Sequence, residues 1–300
     1  MTPYERSIYL LRPQEYPPEL IAVAFAKTSR SPESFLDIAR GLNENSSSEF
    51  HEKWVIGYGH ASVAEHAVLH LAAENVSRLA VETIESSRLA SYTEKSTRYQ
   101  KWESDRFHIP DEVQGTRFAD LYIDTCRMLF STYEDVQDPV RAVVAQKYPR
   151  RDEESMEQWD RRIRSRYIDS CRFLLPAASL ANVGITINAR NLEHAISKML
   201  TNPLAEVRMI GEEIKEAALE EVPTLLKYTG ESSYMAAIRQ ALREIELPGF
   251  SGKDEMVRLV YVDEKAEEQV LAAGLFEQCS MPLGAVQEYI SGLSPEEKAD

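Results

Sequence analysis

The chain has 300 residues, 43% of them hydrophobic, which is enough to bury the core of one large domain or two small ones. Its 49 acidic residues outnumber 34 lysines and arginines, and the net charge of −15 argues against binding to a nucleic acid polymer. The three cysteines lack CxxC spacing and indicate reduced thiols. Without a signal-peptide pattern or a long apolar run, we expect a cytoplasmic protein with no membrane segment.

The first half of the chain predicts helices around one strand. Two helices are expected between Pro18 and Leu42, the second opened by Ser31 and Pro32. The elements predicted next are a short helix at 48–58, a strand at 67–76, a helix at 77–90, an edge strand at 107–110 and a helix at 115–134. The helix at 77–90 would place Leu79, Ile84 and Leu89 on one face.

The second half begins with dense mixed charge near 137–165, which predicts an exposed insertion with its own helical turn. NVGITINA predicts a strand by its alternation, and a helix should begin near Arg190. The next helix is predicted with Asn202 as cap and Pro203 at its first position, ending by Pro223. Because strands and helices cluster, we expect an α+β fold of long helices packed on a small, mostly antiparallel sheet.

Domain organisation is predicted from composition and from an internal similarity. Residues 1–228 form the expected main domain, and polar, glycine-containing residues 229–257 predict a linker with one short helix at 232–246. A strand is predicted in MVRLVYV at 256–262. Residues 267–293 resemble 17–42, so 258–300 would begin a second, incomplete repeat; chance similarity between two pairs of amphipathic helices is the alternative.

Two polar segments in the first half could carry chemistry. The stretch ESSRLASYTEKSTRY, 85–99, combines six serine and threonine hydroxyl groups with two arginines and Glu94. It is either a solvated connection or a pocket where guanidinium groups bind phosphate oxygens. GYGHASVAEHAVLH, 57–70, contains three histidines and a glutamate, but their spacing matches no standard zinc pattern, so we assign no metal site.

Two further features lie in the second half. NARNLEHA, 188–195, places polar residues at a strand-to-helix junction, where a helix N-terminus favours an anion; an ordinary capping loop is the alternative. Arg172 precedes the apolar run FLLP and is either paired in the core or directed into a pocket. The sequence contains no glycine-rich phosphate loop, GxSxG, HExxH or CxxC motif.

Together these segments resemble the flavin-dependent thymidylate synthases. The family's signature of RHR, a spacer and SxxExSxRY stands here as Ser86-Ser87-Arg88 followed by LASYTEKSTRY. GHASVAEH matches the family's GHxSxxEH, and the arginine of SCRFLLP, the NARNLEH segment and LAEVR follow in the family's order. The resemblance covers about residues 5–228.

The resemblance implies a homotetramer that binds FAD, dUMP, methylenetetrahydrofolate and NADPH, in which the cofactor performs the redox chemistry. Carried over by position, the residues expected to contact dUMP are Glu94, Ser96, Arg98, Arg172 and Lys198. The residues expected on the FAD side are His60, Ser62, Arg88, Asn188, Arg190 and His194.

The chain also departs from the family's pattern. Ser86 and Ser87 replace an arginine and a histidine expected against the flavin, and Lys198 or Met199 replaces the arginine that reads the pyrimidine. We therefore predict a divergent synthase, active alone or only with a complementing copy. The rival hypotheses are a catalytically degenerate nucleotide-binding or scaffolding subunit, and an enzyme that uses another acceptor than dUMP.

Overall fold

The computed structural model describes residues 9–28, 31–57, 59–98, 102, 104–245, 259–276 and 278–299. The chain divides into two compact units, 1–245 and 246–300. Within the residues described, no helix is both long and apolar enough to cross a membrane.

A three-stranded antiparallel sheet lies at the centre of the first unit. Its strands are β1 (Val68–Ser77), β2 (Ala90–Glu94) and β3 (Leu180–Asn188), in the order β1-β3-β2. Alternate residues of β3 are buried, because β-branched side chains at every second position face the core. The strands predicted at 67–76 and in NVGITINA are confirmed, and so is the α+β class with a small antiparallel sheet.

Helices account for most of the first unit. They are α1 (Pro18–Thr28), α2 (Phe35–Arg40), α3 (Glu44–Phe50), α4 (Arg78–Glu85), α5 (Ala119–Asp135), α6 (Gln137–Lys147), α7 (Met156–Cys171), α8 (Ala189–Leu200), α9 (Ala205–Leu219) and α10 (Ser233–Arg243). A π-helical turn, His51–Gly57, continues α3, and short 3-10 helices cover Ala61–His66 and Arg172–Leu174. The main core joins the buried residues of β3 to those of α4, α5, α8 and α9.

The two helices that follow strands directly are started by side-chain caps. Ser77 Oγ accepts a hydrogen bond from the backbone N–H of Ala80 at the start of α4. The Ser77 hydroxyl and backbone N–H in turn donate to the Glu206 carboxylate, at 2.6 and 2.7 Å. Asn188 caps α8 in the same way by accepting from the N–H of Asn191. These caps fix where the polar segments leave the sheet.

Helices α8 and α9 cross at close range. A Cβ atom added to Gly211 on α9 would lie 2.9 Å from the Cβ of Met199 on α8, closer than packed side chains approach. The glycine therefore allows the two backbones to approach, and α9 fixes the position of α8.

The helix predicted at 77–90 is wrong in its second half. Helix α4 ends at Glu85 with Ser86 as its C-cap, and β2 already begins at Ala90. Leu79 and Leu89 are 48% and 72% exposed, so they do not share a buried face with Ile84. The Ser86 hydroxyl donates to the carbonyl of Thr83 at 2.7 Å, and such local side-chain bonds favour a helix end over its continuation.

The predicted cap of the next helix is also wrong. Helix α9 begins at Ala205 rather than Pro203, and its first N–H donates at 2.8 Å to the carboxylate of Glu112, a residue distant in sequence. Asn202 instead accepts from the N–H of Leu204 in the preceding turn. Since this capping group is contributed by a distant segment, sequence spacing could not identify it.

Three other predicted elements differ from the structure. The charged region near 137–165 forms two helices rather than one turn, and Ile163 of α7 is fully buried. The predicted strand at 107–110 is a single β-bridge from Phe107 to Ser179. Residues 259–262 are not a strand, and the rest of the strand predicted at 256–262 lies outside the described residues.

The helix predicted between 232 and 246 is α10, which is tied to the end of α8. Ser197 Oγ donates to the carbonyl of Gly230 at 2.8 Å, and the Arg239 guanidinium donates to the carbonyl of Thr201. The predicted linker thus contains a helix that belongs to the first unit.

The second unit contains α11 (Ala266–Phe276), α12 (Leu283–Ser291) and α13 (Pro295–Ala299). Like α1 and α2, helices α11 and α12 form a pair in which an alanine is fully buried, Ala22 in one and Ala272 in the other. Gly41 and Gly292 end the second helix of each pair with nearly equal φ angles of −83° and −82°. Leu20 is buried whereas its counterpart Val270 is 72% exposed, so the repeat stays a prediction.

Candidate functional site

An aromatic cavity of about 360 Å³ lies between α1, the π-helical turn and the 3-10 helix at 61–66. Two of the predicted FAD-side residues, His60 and Ser62, are in its wall. The other lining residues are Phe25, Ala26, Lys27, Phe50, Trp54, Val63, Glu65 and His66. Its volume is at the lower end of the range for ligand pockets, which suits one planar ring system.

The rings of this cavity contact one another edge to face or at a tilt. Trp54 lies 6.0 Å from His60 and 6.4 Å from Phe50 between ring centroids, and Phe25 lies 5.0 Å from His66. The Lys53 ammonium lies 5.2 Å from the Trp54 ring, within cation–π range. Such walls favour a flat, electron-poor or aromatic ligand.

A buried histidine supports the wall that carries Trp54. His51, the first residue of the π-helical turn, is fully buried, and its Nε2 lies 3.0 Å from the carbonyl of Glu19. Burial lowers the pKa of His51, and the nearby Glu19 only partly opposes this effect. The neutral imidazole therefore donates from Nε2, while Nδ1 has no partner within the described part of the chain. Irregular helical turns of this kind are frequent at functional sites.

The predicted residues of the NARNLEH segment have separate roles. Arg190 forms an ion pair with Glu65, which connects the start of α8 to the cavity wall. Asn188 caps α8, which gives it a structural role whether or not it also meets a cofactor. His194 is exposed on the same helix.

A second group, the arginine cluster, consists of Arg98 and Arg172 around Asp169, with Thr97 beside them. Arg98 Nε donates to Asp169 Oδ1 at 2.7 Å, and Arg172 Nε lies 3.4 Å from the same oxygen. Arg172 Nη1 also donates to Thr97 Oγ1 at 3.2 Å. Both side chains are about one third or more exposed, so further donors of their guanidinium groups can reach an anion.

Two other residues predicted to contact the nucleotide, Glu94 and Ser96, lie just before Arg98 in the sequence. Both already form hydrogen bonds within the chain. Glu94 accepts from Arg78 Nη1 at 2.7 Å, and both side chains are partly buried. Ser96 Oγ accepts from the backbone N–H of Arg98 at 3.2 Å, which shapes the turn that carries the arginine. Tyr99, the last residue of the matching motif, lies outside the described residues.

A third group, the serine turn, consists of residues 86–89, which connect the end of α4 to the start of β2. Tyr92 donates its hydroxyl hydrogen to the carbonyl of Ser87 at 3.0 Å, and burial raises the pKa of that phenol. Burial, together with the nearby Glu94, also raises the pKa of the adjacent Glu85 carboxyl. Arg88 is exposed and has no hydrogen bond or ion pair to any described residue.

Lys198 contacts none of the other residues predicted to bind the nucleotide, among those that the structure describes. Its Nζ donates at 3.0 Å to Ser86 Oγ, on the serine turn. About two helical turns before Lys198 on α8, Asn191 Nδ2 donates to the carbonyl of Leu89 at 3.3 Å. Helix α8 thus holds both ends of the serine turn.

Sequence reasoning missed several residues of these groups. Trp54 stands six residues before His60, and an aromatic residue just upstream of the GHASVAEH motif was the available signal. Asp169 precedes Arg172 by three residues, the spacing that places two side chains on one helical face. Lys27 and Phe25 come from α1, so only the tertiary fold brings them to the cavity.

The possible metal site of the histidine-rich segment 57–70 can be compared with the positions of its side chains. They contain no group of three or more histidine, cysteine or carboxylate side chains placed to hold a metal ion. His70 instead pairs with Thr186 Oγ1 across the sheet at 2.9 Å.

The fold, the aromatic cavity and the arginine cluster define an α+β protein with a candidate ligand-binding site. Among solved structures, a UMP/dUMP methylase, PolB, from Streptomyces cacaoi is similar with a TM-score of 0.52 and 18% identity, over 70% of this chain and 88% of that one. The model of the family described as "thymidylate synthase complementing protein" matches residues 11–224. The chain belongs to this family and is a divergent relative of the flavin-dependent thymidylate synthases.

Two relatives illustrate the divergence. A UPF0159 protein of Chlamydia pneumoniae is 31% identical over 83% of this chain but only 50% of its own length. A flavin-dependent thymidylate synthase of Clostridium tetani is 28% identical over 72% of this chain and 83% of its own length. The chain spans about half the length of the UPF0159 relatives that it matches.

Proposed function

We propose that the chain takes part in the FAD-dependent methylation of dUMP to dTMP, with methylenetetrahydrofolate and NADPH as co-substrates. The observation that carries this proposal is the division of the site into an arginine cluster suited to a phosphate and an aromatic cavity suited to a planar ring. Membership of the family and the name of the Clostridium tetani relative support it.

The arginine cluster would bind the phosphate of dUMP. Arg98 and Arg172 both contact Asp169, which holds the two guanidinium groups side by side before any ligand arrives. A planar guanidinium presents two parallel N–H donors to a phosphate, and such charge-assisted bonds contribute about 1.5–3 kcal/mol each. Glu94 and Ser96 would meet the sugar or the base.

The FAD side is compatible with the residues present. The rings of Trp54, Phe50 and His60 offer stacking faces, Ser62 offers a hydroxyl, and Lys27 brings a positive charge to the same wall. FAD would supply the hydride chemistry that no side chain here can perform. The protein's own residues would bind and orient the ring and limit the access of water.

The chain would act in an assembly of like chains or with a complementing copy. Family resemblance implies a tetramer, and the UPF0159 relatives are about twice as long as the segment that matches. In either case a second chain or a second repeat would complete the groups that Ser86 and Ser87 lack.

The direct test of this function is release of the C5 proton of dUMP, since methylation must replace it. We expect release only when FAD, NADPH and methylenetetrahydrofolate are all present, and loss of release in Arg172→Ala. Release that persists without flavin would contradict the proposal.

A catalytically degenerate nucleotide-binding subunit is the second candidate, and it is favoured by Ser86 and Ser87 at the positions of the family's arginine and histidine. Calorimetry separates the two functions. Binding of dUMP that disappears in Arg98→Ala and Arg172→Ala, together with no uptake of FAD by the wild type, would support the degenerate subunit.

A further inference from the structure

The serine turn receives a cation from a different element. Lys198 Nζ donates to Ser86 Oγ, while the Ser86 hydroxyl donates its own hydrogen to the carbonyl of Thr83. The serine therefore acts as the acceptor that positions the ammonium group. The Lys198 ammonium group has three N–H donors, and two of them remain available for a ligand.

Lys198 forms no ion pair with any described residue. No carboxylate forms an ion pair with Lys198 or with Arg88 among the residues that the structure describes. By contrast, Arg78, Arg98 and Arg190 each pair with a carboxylate. Neither Lys198 nor Arg88 is therefore held by a competing carboxylate, so both can meet an anionic ligand.

The position of Lys198 is fixed by packing rather than by the side chain alone. Asn191 and Lys198 are seven residues apart, so they lie on one face of α8, and both donate to the serine turn. The close crossing at Gly211 holds α8 from the other side.

Helix α8 also links this turn to the aromatic cavity. Arg190, near the start of α8, pairs with Glu65 in the cavity wall, and Lys198 lies eight residues further along. Eight residues of α-helix span about 12 Å. This spacing suits an elongated ligand with a planar ring at one end and phosphates further along.

We propose that Ser86, Arg88 and Lys198 form an anion subsite for the pyrophosphate of FAD, in which Lys198 supplies from α8 a cation that the serine turn itself lacks. This inference rests on the proposed FAD-dependent function. It assigns Lys198 to the cofactor and not to the pyrimidine, and it makes Ser86 a positioning residue for the ammonium group.

The test is the dissociation constant of FAD, measured by flavin fluorescence on the purified full chain at several salt concentrations. We expect Lys198→Met to weaken FAD binding about tenfold to hundredfold, the range of one charge-assisted bond. Lys198→Arg should retain most of the affinity. The double variant Ser86→Arg with Lys198→Met moves the positive charge from α8 to the serine turn. It should restore the FAD affinity, because Ser86 is exposed and leaves room for arginine.

Lys215→Met is the matched control, since this lysine is also half-buried but lies on α9. It should leave the affinity unchanged. The salt dependence of binding should be shallower in Lys198→Met than in the wild type, because one screened charge is gone.

The outcomes separate this inference from the proposed function. Unchanged FAD affinity in Lys198→Met would overturn the subsite and leave FAD binding intact. Weaker binding with an unchanged salt dependence and no recovery in the double variant would also overturn it, since Lys198 would then act only on folding. A wild-type chain that binds no FAD, with or without dUMP, would overturn the proposed function and this inference together.

Discussion

The arginine cluster and the serine turn carry similar positive charge but treat it differently. At the arginine cluster, Asp169 contacts both Arg98 and Arg172, so the donors are held in place before a ligand binds. At the serine turn, Lys198 is positioned by a neutral hydroxyl, and Arg88 has no described partner. The arginine cluster is therefore organised by a carboxylate that competes with a ligand. The cations of the serine turn have no such competitor among the described residues.

This difference has an energetic consequence. A phosphate at the arginine cluster must share the guanidinium donors with Asp169, so part of the positive charge is already neutralised. The two guanidinium groups are, however, already held in place for binding. An anion at the serine turn meets uncompensated charge but must order a flexible arginine. We therefore expect binding at the first region to depend on geometry and binding at the second to depend more on salt.

The largest effect is expected at the arginine cluster. Arg172→Ala should weaken dUMP binding about tenfold to hundredfold, because one charge-assisted contact to the phosphate is lost. Isothermal titration calorimetry measures it. Arg141→Ala is the control, since Arg141 forms a comparable exposed pair with Asp160 on the surface. Equal affinities in all three proteins would contradict the role of the cluster.

The second largest effect is expected from loosening the packing of α8, the helix that carries Lys198. Gly211→Ala should destabilise the first unit by about 1–3 kcal/mol, because the added methyl group overlaps Met199 and forces α8 and α9 apart. Urea unfolding measures the loss. Gly274→Ala, on α11 with open space around it, should not destabilise. If Gly211→Ala folds, its FAD affinity should fall more than its dUMP affinity; equal losses would remove the distinction between the regions.

Trp54 tests the aromatic cavity alone. Trp54→Ala should weaken FAD binding about threefold to tenfold, since one aromatic stacking contact contributes about 0.5–1.5 kcal/mol. Trp54→Phe should keep most of the affinity, and dUMP binding should stay unchanged in both variants. A parallel loss of dUMP affinity would show that the cavity and the arginine cluster do not bind separate ligands.

The smallest effect is a pH dependence. Burial lowers the pKa of His51 below its ordinary value of about 6.5, so the unfolded chain binds this proton more readily than the folded one. The contribution of neutral His51 to stability is therefore present above pH 6.5 and is lost as the pH falls from there towards its folded-state pKa. His51→Gln should show a smaller decrease in unfolding free energy between about pH 7 and pH 5; identical slopes would contradict the assignment.

Sequence reasoning predicted the parts of the fold that local pattern determines. The alternation of Val183, Ile185 and Ile187 reports a strand buried on one face, and β3 confirms it. Sequence reasoning failed where a hydrogen-bond partner is distant in the sequence. Glu112 caps α9 across 93 residues of sequence, and no local signal reports it. At 86–89 the hydroxyl groups end a helix that apolar periodicity would have continued.

The candidate site divides along the same line. Motif spacing predicted Arg98 and Arg172 as dUMP contacts, which stay predictions, but their common partner Asp169 depends on α7 packing beside the turn after β2. Motif order predicted Lys198 or Met199 at the pyrimidine, whereas the proposed subsite assigns Lys198 to the cofactor. The contact of Lys198 with Ser86 needs α8 and α4 to lie side by side. Contacts between elements, rather than the residues themselves, were what the sequence could not supply.

The most direct measurement is a titration of the purified chain with FAD, followed by flavin absorbance, in the absence and presence of dUMP. If both regions belong to one site, we expect saturable FAD binding and a further change in the flavin spectrum when dUMP is added. Binding of dUMP with no bound flavin at any FAD concentration would contradict the account.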